Sequence, residues 1–400
     1  MPAEISLTLS VVTVCETCRQ DWDFLRSTER PDYEAGACKI RVVDLFCGCG
    51  GLTLGIAEAA RRMDFGVEIP LAVDDDADAI AVFEHNFPSA TTEQLRVEDL
   101  FNGELGGSLT QSERAVRTRV GRVDILSGGP PCQGHSDLNN HTRRRDPRNG
   151  LYDRIARAAE VLKPAVVFAE NVPAVVKDAD GVVGVAETAL IRAGYHVAHR
   201  PLNLGGLGVP QRRRRHILLA STKDLLEPEA VLSALEAPCP THPTRSVAWA
   251  IEDLETPPSD DQFDKPSVPS GKNADRIAWL FEHDKYDLDN DERPECHQND
   301  EHTYRSMYGR LKWNEPAQTV TTGFGSMGQG RYVHPSCRRT ITPHEAARLQ
   351  TLPDFFDFSS VHKRGAWAKM IGNAVPPLLA CNVVTATMPL IVDDALHAAA

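Results

Sequence analysis

Val43-Asp44-Leu45-Phe46-Cys47-Gly48-Cys49-Gly50-Gly51-Leu52 decides the fold of this chain. An apolar run over 40–46 ends in closely spaced glycines, and a helical pattern follows over 52–62. A strand that turns on glycines into a helix lets the backbone approach a ligand and aims helix amides at it. A second apolar run, 69–73, ends in Asp74-Asp75-Asp76, where a carboxylate can take both hydroxyls of a ribose. The two strand ends together point to a nucleoside cofactor. By themselves they leave a nicotinamide and S-adenosylmethionine both open.

Outward from this turn the pattern repeats. Strands are expected at 123–127, 165–169, 196–203 and 216–220, with helices over 76–86 and 151–162 between them. Such alternation means a parallel, doubly wound α/β sheet. From 222 to 336 the chain turns Pro-rich, acidic and aperiodic, and helical pattern returns over 342–351 and from Pro377 onward. Residues 1–39 show no clear period. Their Cys15-Glu16-Thr17-Cys18 has no second matched pair, so no metal site is expected.

The chain has 400 residues, 42% hydrophobic and 25% charged, which excludes wholesale disorder. No uninterrupted apolar stretch reaches the roughly 18–20 residues of a membrane span, and the N-terminus lacks the pattern of a signal peptide. The ten cysteines read as free thiols of a reducing cytosol. A net charge of −13 argues against a nucleic-acid partner until its distribution is seen. Residues 251–301 hold 16 acids and 5 bases, leaving the rest near neutral. There the arginines cluster at 143–145 with Arg148, at 212–215, and at Arg331, Arg338, Arg339 and Arg348. Clustered positive charge is what a phosphate backbone senses within a Debye length.

Three further pieces fall at strand ends. Gly128-Gly129-Pro130-Pro131-Cys132-Gln133-Gly134 follows the strand at 123–127 and places a cysteine between stiff prolines and a glycine. The next strand ends in Glu170-Asn171-Val172. Gln211-Arg212-Arg213-Arg214-Arg215 enters another, and alternation in an extended segment would put Arg213 and Arg215 on one face. A cysteine, a carboxylate and an arginine pair are therefore expected on one rim.

In this order the pieces resemble the DNA (cytosine-5)-methyltransferases of the bacterial type. The resemblance rests on Asp44-Leu45-Phe46-Cys47-Gly48-Cys49-Gly50-Gly51, the acids Asp74 and Asp76, and Glu98-Asp99-Leu100. It continues through Gly129-Pro130-Pro131-Cys132-Gln133-Gly134 with Ser136, Glu170-Asn171-Val172 and Gln211-x-Arg213-x-Arg215. Arg348-Leu349-Gln350 and Gly372-Asn373-Ala374-Val375-Pro376-Pro377 complete it. It covers about 37–221 and 337–400. Two positions depart from the family: His135 stands where an aromatic is usual, and Asp74 where Glu is more frequent.

The resemblance implies a doubly wound, mostly parallel Rossmann-like methyltransferase sheet with a small, irregular target-recognition domain inserted. The catalytic domain would take 37–225 and 337–400, the recognition region 226–336, and 1–36 would be an extension of unknown role. S-adenosyl-L-methionine, leaving as S-adenosyl-L-homocysteine, would lie along Phe46, Cys47, Gly48, Cys49, Gly50, Gly51 and Leu52. Asp74 would stand on its ribose and Asp99 near its adenine, Pro130 and Asn373 would complete the pocket, and Asp75, Leu100 and Val375 would be further cofactor contacts. The partner would be double-stranded DNA, contacted by Gln133, by Ser136, Arg143, Arg144, Arg145 and Arg148 in a lid over 134–150, and by Arg310 and Arg331. The acidic part of the insert is expected to face solvent or a partner. The glycine-rich 323–330 is read as either a loop entering a groove or a hairpin connection. A companion restriction endonuclease or defence component, and a cytoplasmic, nucleoid-associated location without membrane contact, complete the expectation.

The chemistry explains the residue types. C5 of cytosine is a poor nucleophile, and a thiolate adding at C6 makes C5 electron-rich. Cys132 is assigned to that attack, Glu170 to a proton at N3, and Arg215 with Arg213 beside it to the O2 oxygen. The base must first leave the duplex. An RNA (tRNA) methyltransferase and a catalytically idle DNA-binding regulator on the same scaffold are the rival readings. Against them stand the absence of a Cys-Phe-Thr tripeptide and the presence of Cys132, Glu170 and Arg215.

Overall fold

The structure, a computed structural model, describes residues 16–131, 151–222, 227–237, 244–256, 258–298 and 307–398. Cys132, Gln133, Ser136, Arg143, Arg144, Arg145 and Arg148 lie outside the described residues. A first helix, α1 (Glu16–Arg26), precedes strand β1 (Lys39–Leu45), which is followed by α2 (Gly51–Arg62), β2 (Gly66–Asp74), α3 (Ala77–Asn86) and β3 (Thr92–Gln94). Then come α4 (Val97–Leu100), α5 (Gln111–Val120), β4 (Ile125–Gly128), α6 (Tyr152–Leu162), β5 (Val166–Asn171), α7 (Val182–Arg192) and β6 (His196–Asn203). After β7 (Gln211–Arg212), β8 (Arg214–Ser221) and α8 (Pro228–Glu236) the chain becomes irregular around α9 (Val247–Ile251), α10 (Gly271–Glu282) and β9 (Ala317–Gln318). It closes with α11 (Pro343–Leu349), α12 (Arg364–Asn373) and α13 (Pro377–Ala398).

The seven-stranded sheet has the order β3-β2-β1-β4-β5-β8-β6. β3, β2, β1, β4 and β5 pair in parallel, and β8 runs antiparallel to both β5 and β6. The sheet is thus mostly parallel, with the antiparallel edge that many doubly wound folds carry. β1, β4 and β5 are almost wholly buried, as strands covered by helices on both faces must be. The chain leaves β1 toward β2 on one side and reaches β4 on the other, which opens a crevice at the carboxyl ends of these strands. The expected strands and helices are present, most with ends within two residues. β3 was not expected, because three polar, half-exposed residues carry no apolar signal.

α2 and α13 pack with almost no space between them. A Cβ on Gly55 would stand 2.2 Å from the Pro377 carbonyl oxygen, and one on Gly51 would stand 2.4 Å from that of Val375. The end of the chain is thereby seated against the glycine turn. Arg364–Met388 has the length and apolarity of a membrane span, and its apolar window is mostly buried inside the protein. α8 lies on β6 and β8, so it belongs to the layer around the sheet. The irregular part has a small core of its own: Ile277, Leu280, Leu288, Tyr308, Met327 and Val333.

The acidic stretch faces solvent as expected: of its described acids only Asp264 is buried. Several of the exposed acids also pair with arginines beside them. Arg331 pairs with Asp287, Arg310 with Asp284 at 3.5 Å, and Arg338 with Glu282 at 3.3 Å. Asp253 holds both Arg26 and Arg348. Arg310, Arg331 and Arg348 are largely buried, and each has one of these acids within ion-pair reach.

Candidate active site

The crevice holds a cavity of about 580 Å³. Its cofactor side is built by the glycine turn. Phe46, Gly48 and Gly50 take φ of +57°, +54° and +101°, so the chain reverses within five residues before α2 starts. Phe46 is the one residue of the three for which this left-handed conformation is unfavourable, and such strain gathers at functional sites. Asp74 clamps the turn from β2: its two oxygens accept the N–H groups of Gly48 and Asp76, each at 2.9 Å. Burial raises the pKa of Asp74, against these two hydrogen bonds. Asp76 caps α3 through the N–H of Asp78 and takes Lys369 of α12 at 2.5 Å. Burial acts to raise its pKa too, but Lys369 outweighs this and leaves it lowered.

Behind the turn, Asp44 is fully buried and accepts hydrogen bonds from Thr53 (2.6 Å) and Ser127 (3.0 Å). Burial raises its pKa to about 6. Cys47 and Cys49 are free, buried thiols whose pKa values burial pushes up, that of Cys49 to about 12. They line the cavity as small apolar groups.

The other side of the cavity carries the acid and the cation. Glu170, near the carboxyl end of β5, is 7% exposed, and Arg215 Nε from β8 stands 2.6 Å from its Oε1. The adjacent Asn171 donates to the Pro130 carbonyl at 3.2 Å and so holds the Pro130-Pro131 turn against β5. Between the two sides lies Gly129, whose position for a Cβ is 3.8 Å from Glu170 Oε2 and 3.6 Å from the Val375 side chain. Tyr152, at the start of α6, is buried, and burial together with the charge of Glu170 pushes its pKa far up.

A larger groove of about 920 Å³ lies between α6 and α7. It sits by the amino end of β5, away from the crevice where ligands bind in such sheets, and none of the expected site residues lines it. The smaller cavity is the one that the expected site residues line.

A family model, the C-5 cytosine-specific DNA methylase, matches residues 40–388. The chain belongs to the C-5 cytosine-specific DNA methylase family. The Type II methyltransferase M1.BsuMI of Bacillus subtilis (strain 168) is 44% identical over 359 residues, spanning 90% of this chain and 83% of that protein. A crystal structure described as a DNA modification methyltransferase encoded within a prophage (E. coli) matches with a TM-score of 0.59 and 26% identity, covering 88% of this chain and 99% of that one. The S. pombe Dnmt2 methyltransferase, 16% identical with a TM-score of 0.59 over 89% of this chain and 99% of its own, shares the fold. The protein is a DNA (cytosine-5-)-methyltransferase with a Rossmann-like sheet.

Within this methylase, Phe46, Cys47, Gly48, Cys49, Gly51, Leu52, Asp74, Asp75, Pro130, Asn373 and Val375 all line the cavity, with Glu170, Arg213 and Arg215. Gly50 stands behind them, packed on Phe87. Asp99 and Leu100 do not line it. The short α4 turns Asp99 outward to Arg96 at 2.7 Å and buries Leu100 in the core, while Leu95, Val97 and Glu98 take the cavity wall. Arg213 and Arg215 both reach the cavity, but not through the simple alternation of one strand. β7 pairs with β9 and β8 with β5 and β6, so the chain changes sheets at Arg213 and simple alternation does not carry across. Arg310 and Arg331, expected at phosphate, are committed inside the fold. Arg310 donates to the Pro335 carbonyl at 2.6 Å and lies over the Phe281 ring, and Arg331 donates to the carbonyls of Tyr286 and Arg310 at 3.0 Å. Sequence reading missed Lys369 and Gln350. Gln350 was part of a quoted motif, but only its buried hydrogen bonds to Gln211 and to the Ile371 carbonyl assign it work.

Proposed function

We propose that this methylase transfers a methyl group to C5 of a flipped-out cytosine at a specific site in double-stranded DNA, through a covalent Cys132–C6 adduct. The observation that carries the reading is the Glu170–Arg215 pair facing the glycine turn across one cavity, with Gly129 between and Pro131 leading directly to Cys132.

S-adenosyl-L-methionine supplies a methyl group on a positive sulfur. The cavity suits it. The left-handed turn brings backbone close to a ligand, Asp74 stands at the ribose side, and Asp75 and Glu98 add carboxylates to the wall. Asn373 and Val375 from the far end of the chain complete the wall. Glu170 hands a proton to N3 as Cys132 bonds to C6, and Arg215 stabilises charge at O2 and orients Glu170. After methylation the C5 proton leaves to a base, the thiolate departs from C6 as the ring re-forms, and N3 returns its proton to Glu170. Arg143, Arg144, Arg145 and Arg148, with Gln133 and Ser136, are assigned by sequence to DNA around the flipped base. Residues 226–336, apart from α8 on the sheet, act as the recognition region, beside a catalytic part formed by 37–225 and 337–400. The protein works in the cytoplasm as the protecting half of a restriction-modification pair.

Duplex DNA with 5-fluorocytosine at the target tests this, since fluorine at C5 blocks the final elimination. A covalent protein–DNA adduct is expected that requires both S-adenosyl-L-methionine and Cys132. An adduct of undiminished yield in Cys132→Ala refutes the assignment. Bisulfite sequencing of DNA from a host expressing the chain reads the target site.

A further inference from the structure

Arg213 is 1% exposed, although it borders the cavity. Its guanidinium forks between two remote parts of the chain. Nη1 donates to the Val320 carbonyl at 3.1 Å, and Nη2 to the Ala374 carbonyl at 3.2 Å. Gln211, two residues earlier, grips the same two parts. Its Oε1 accepts the N–H of Val320 at 2.9 Å, and its Nε2 donates to Gln350 Oε1 at 2.8 Å and to the Leu349 carbonyl at 2.6 Å. Gln350 in turn donates to the carbonyls of Ile371 (2.5 Å) and Ala374 (3.3 Å). Both backbone polar groups of Val320 and the carbonyl of Ala374 are therefore held by one buried knot.

The two parts so joined have different duties. Asn373 and Val375, on either side of Ala374, line the cavity on its cofactor side. Thr322 is exposed on the insert, two residues past Val320. The parts also touch directly: a Cβ on Gly372 would stand 2.3 Å from the amide nitrogen of Thr322. We propose that Arg213 is a positioning residue that, with Gln211 and Gln350, locks the cofactor wall at 372–375 to the insert at 319–322, leaving the cation at the cytosine to Arg215. This rests on the reading of the cavity as the site of methyl transfer. Arg213 is suited to the work because a rigid planar fork reaches two carbonyls at fixed directions, which an ammonium on a flexible stem does not. Because the lock joins both sides, ordering one side favours order on the other, and the coupling is reciprocal.

The test uses the full chain and a duplex carrying the target site. Arg213→Lys should raise KM for S-adenosyl-L-methionine and KM for DNA by about tenfold or more each, as loss of a hydrogen bond from a charged donor implies, with kcat falling less than threefold. Arg215→Lys should lower kcat and leave both KM values nearly in place. Binding without turnover gives a second reading. S-adenosyl-L-homocysteine should tighten DNA binding by the wild-type chain, and Arg213→Lys should remove that factor. Gln350→Met, which takes a donor from Ala374 without touching a charge, should shift the same two KM values in the same direction, and it carries the test if Arg213→Lys does not fold by far-ultraviolet circular dichroism. A fall in kcat of a hundredfold for Arg213→Lys with both KM values unchanged would place Arg213 at the reacting base and overturn the proposal. So would a KM shift confined to one ligand in both variants. A wild-type chain that binds both ligands with coupling but methylates no cytosine would instead overturn the functional reading.

Discussion

Replacing Arg331 by alanine distinguishes an internal clamp from a phosphate contact. The Arg331 side chain is 16% exposed, donates to the carbonyls of Tyr286 and Arg310 at 3.0 Å each, and pairs with Asp287. Its guanidinium also packs on Gly309, whose Cβ position would be 2.9 Å from Cζ. Hydrogen bonds from a charged donor contribute about 1.5–3 kcal/mol each, and contacts sharing one side chain do not add fully. The Asp287 pair adds little, since Asp287 is half exposed. Arg331→Ala should therefore lose about 2–4 kcal/mol of stability in the insert. Urea unfolding followed by the fluorescence of Trp279 and Trp313, both in this part of the chain, measures it. In parallel, DNA affinity against salt should keep its slope, whereas removing one phosphate contact lowers the slope by about 0.9. Stability unchanged within about 0.5 kcal/mol, together with a slope lower by about one, would refute the reasoning and return Arg331 to the DNA surface.

Glu170→Gln should fold and bind S-adenosyl-L-homocysteine while turnover falls about 10²–10⁴-fold, the usual loss for one positioned proton donor; single-turnover methyl transfer checks it, and undiminished turnover makes Glu170 a structural acid. His344 is held at both ring nitrogens, by Asp264 at 2.7 Å and Asp354 at 2.9 Å. Burial pulls its pKa down, but the two carboxylates outweigh this and leave it raised. A raised folded-state value stabilises fully below the unfolded value near 6.5 and is lost as pH rises through the folded one. Urea midpoints should accordingly fall more steeply from pH 6 to 9 in the wild type than in His344→Gln, and equal slopes would exclude a charged His344. Gly372→Ala should weaken S-adenosyl-L-homocysteine binding and lower the melting temperature, because its Cβ meets backbone at 2.3 Å; calorimetry showing unchanged binding and melting would mean the two segments separate freely.

The sheet and most of the cavity wall were legible in the chain because the information is local. A strand pattern, a glycine turn and a carboxylate at the next strand end need only a few consecutive residues to declare themselves, and 46–52 with Asp74 line the cavity as read, Gly50 standing just behind. Glu170 and Arg215 were likewise marked by position at strand ends, and they meet at 2.6 Å. What depended on direction was read less well. Asp99 and Glu98 are neighbours in sequence, and only the path of the four-residue α4 decides which of them faces the cavity.

Charge shows the limit most plainly. Counting along the chain separates an acidic block from a basic one, and suggests that the basic one is offered to DNA. Folding instead turns Arg310 and Arg331 inward onto backbone carbonyls, since a guanidinium removed from water needs acceptors around it, with the exposed Asp284 and Asp287 at its rim. Arg213 is the same lesson at the site. Residue type and spacing marked it as chemistry, and they do determine that a cation stands at this cavity. Whether that cation touches the base or braces the wall depends on Val320 and Ala374, which lie 107 and 161 residues away along the chain and are brought together only by the closing of the tertiary structure.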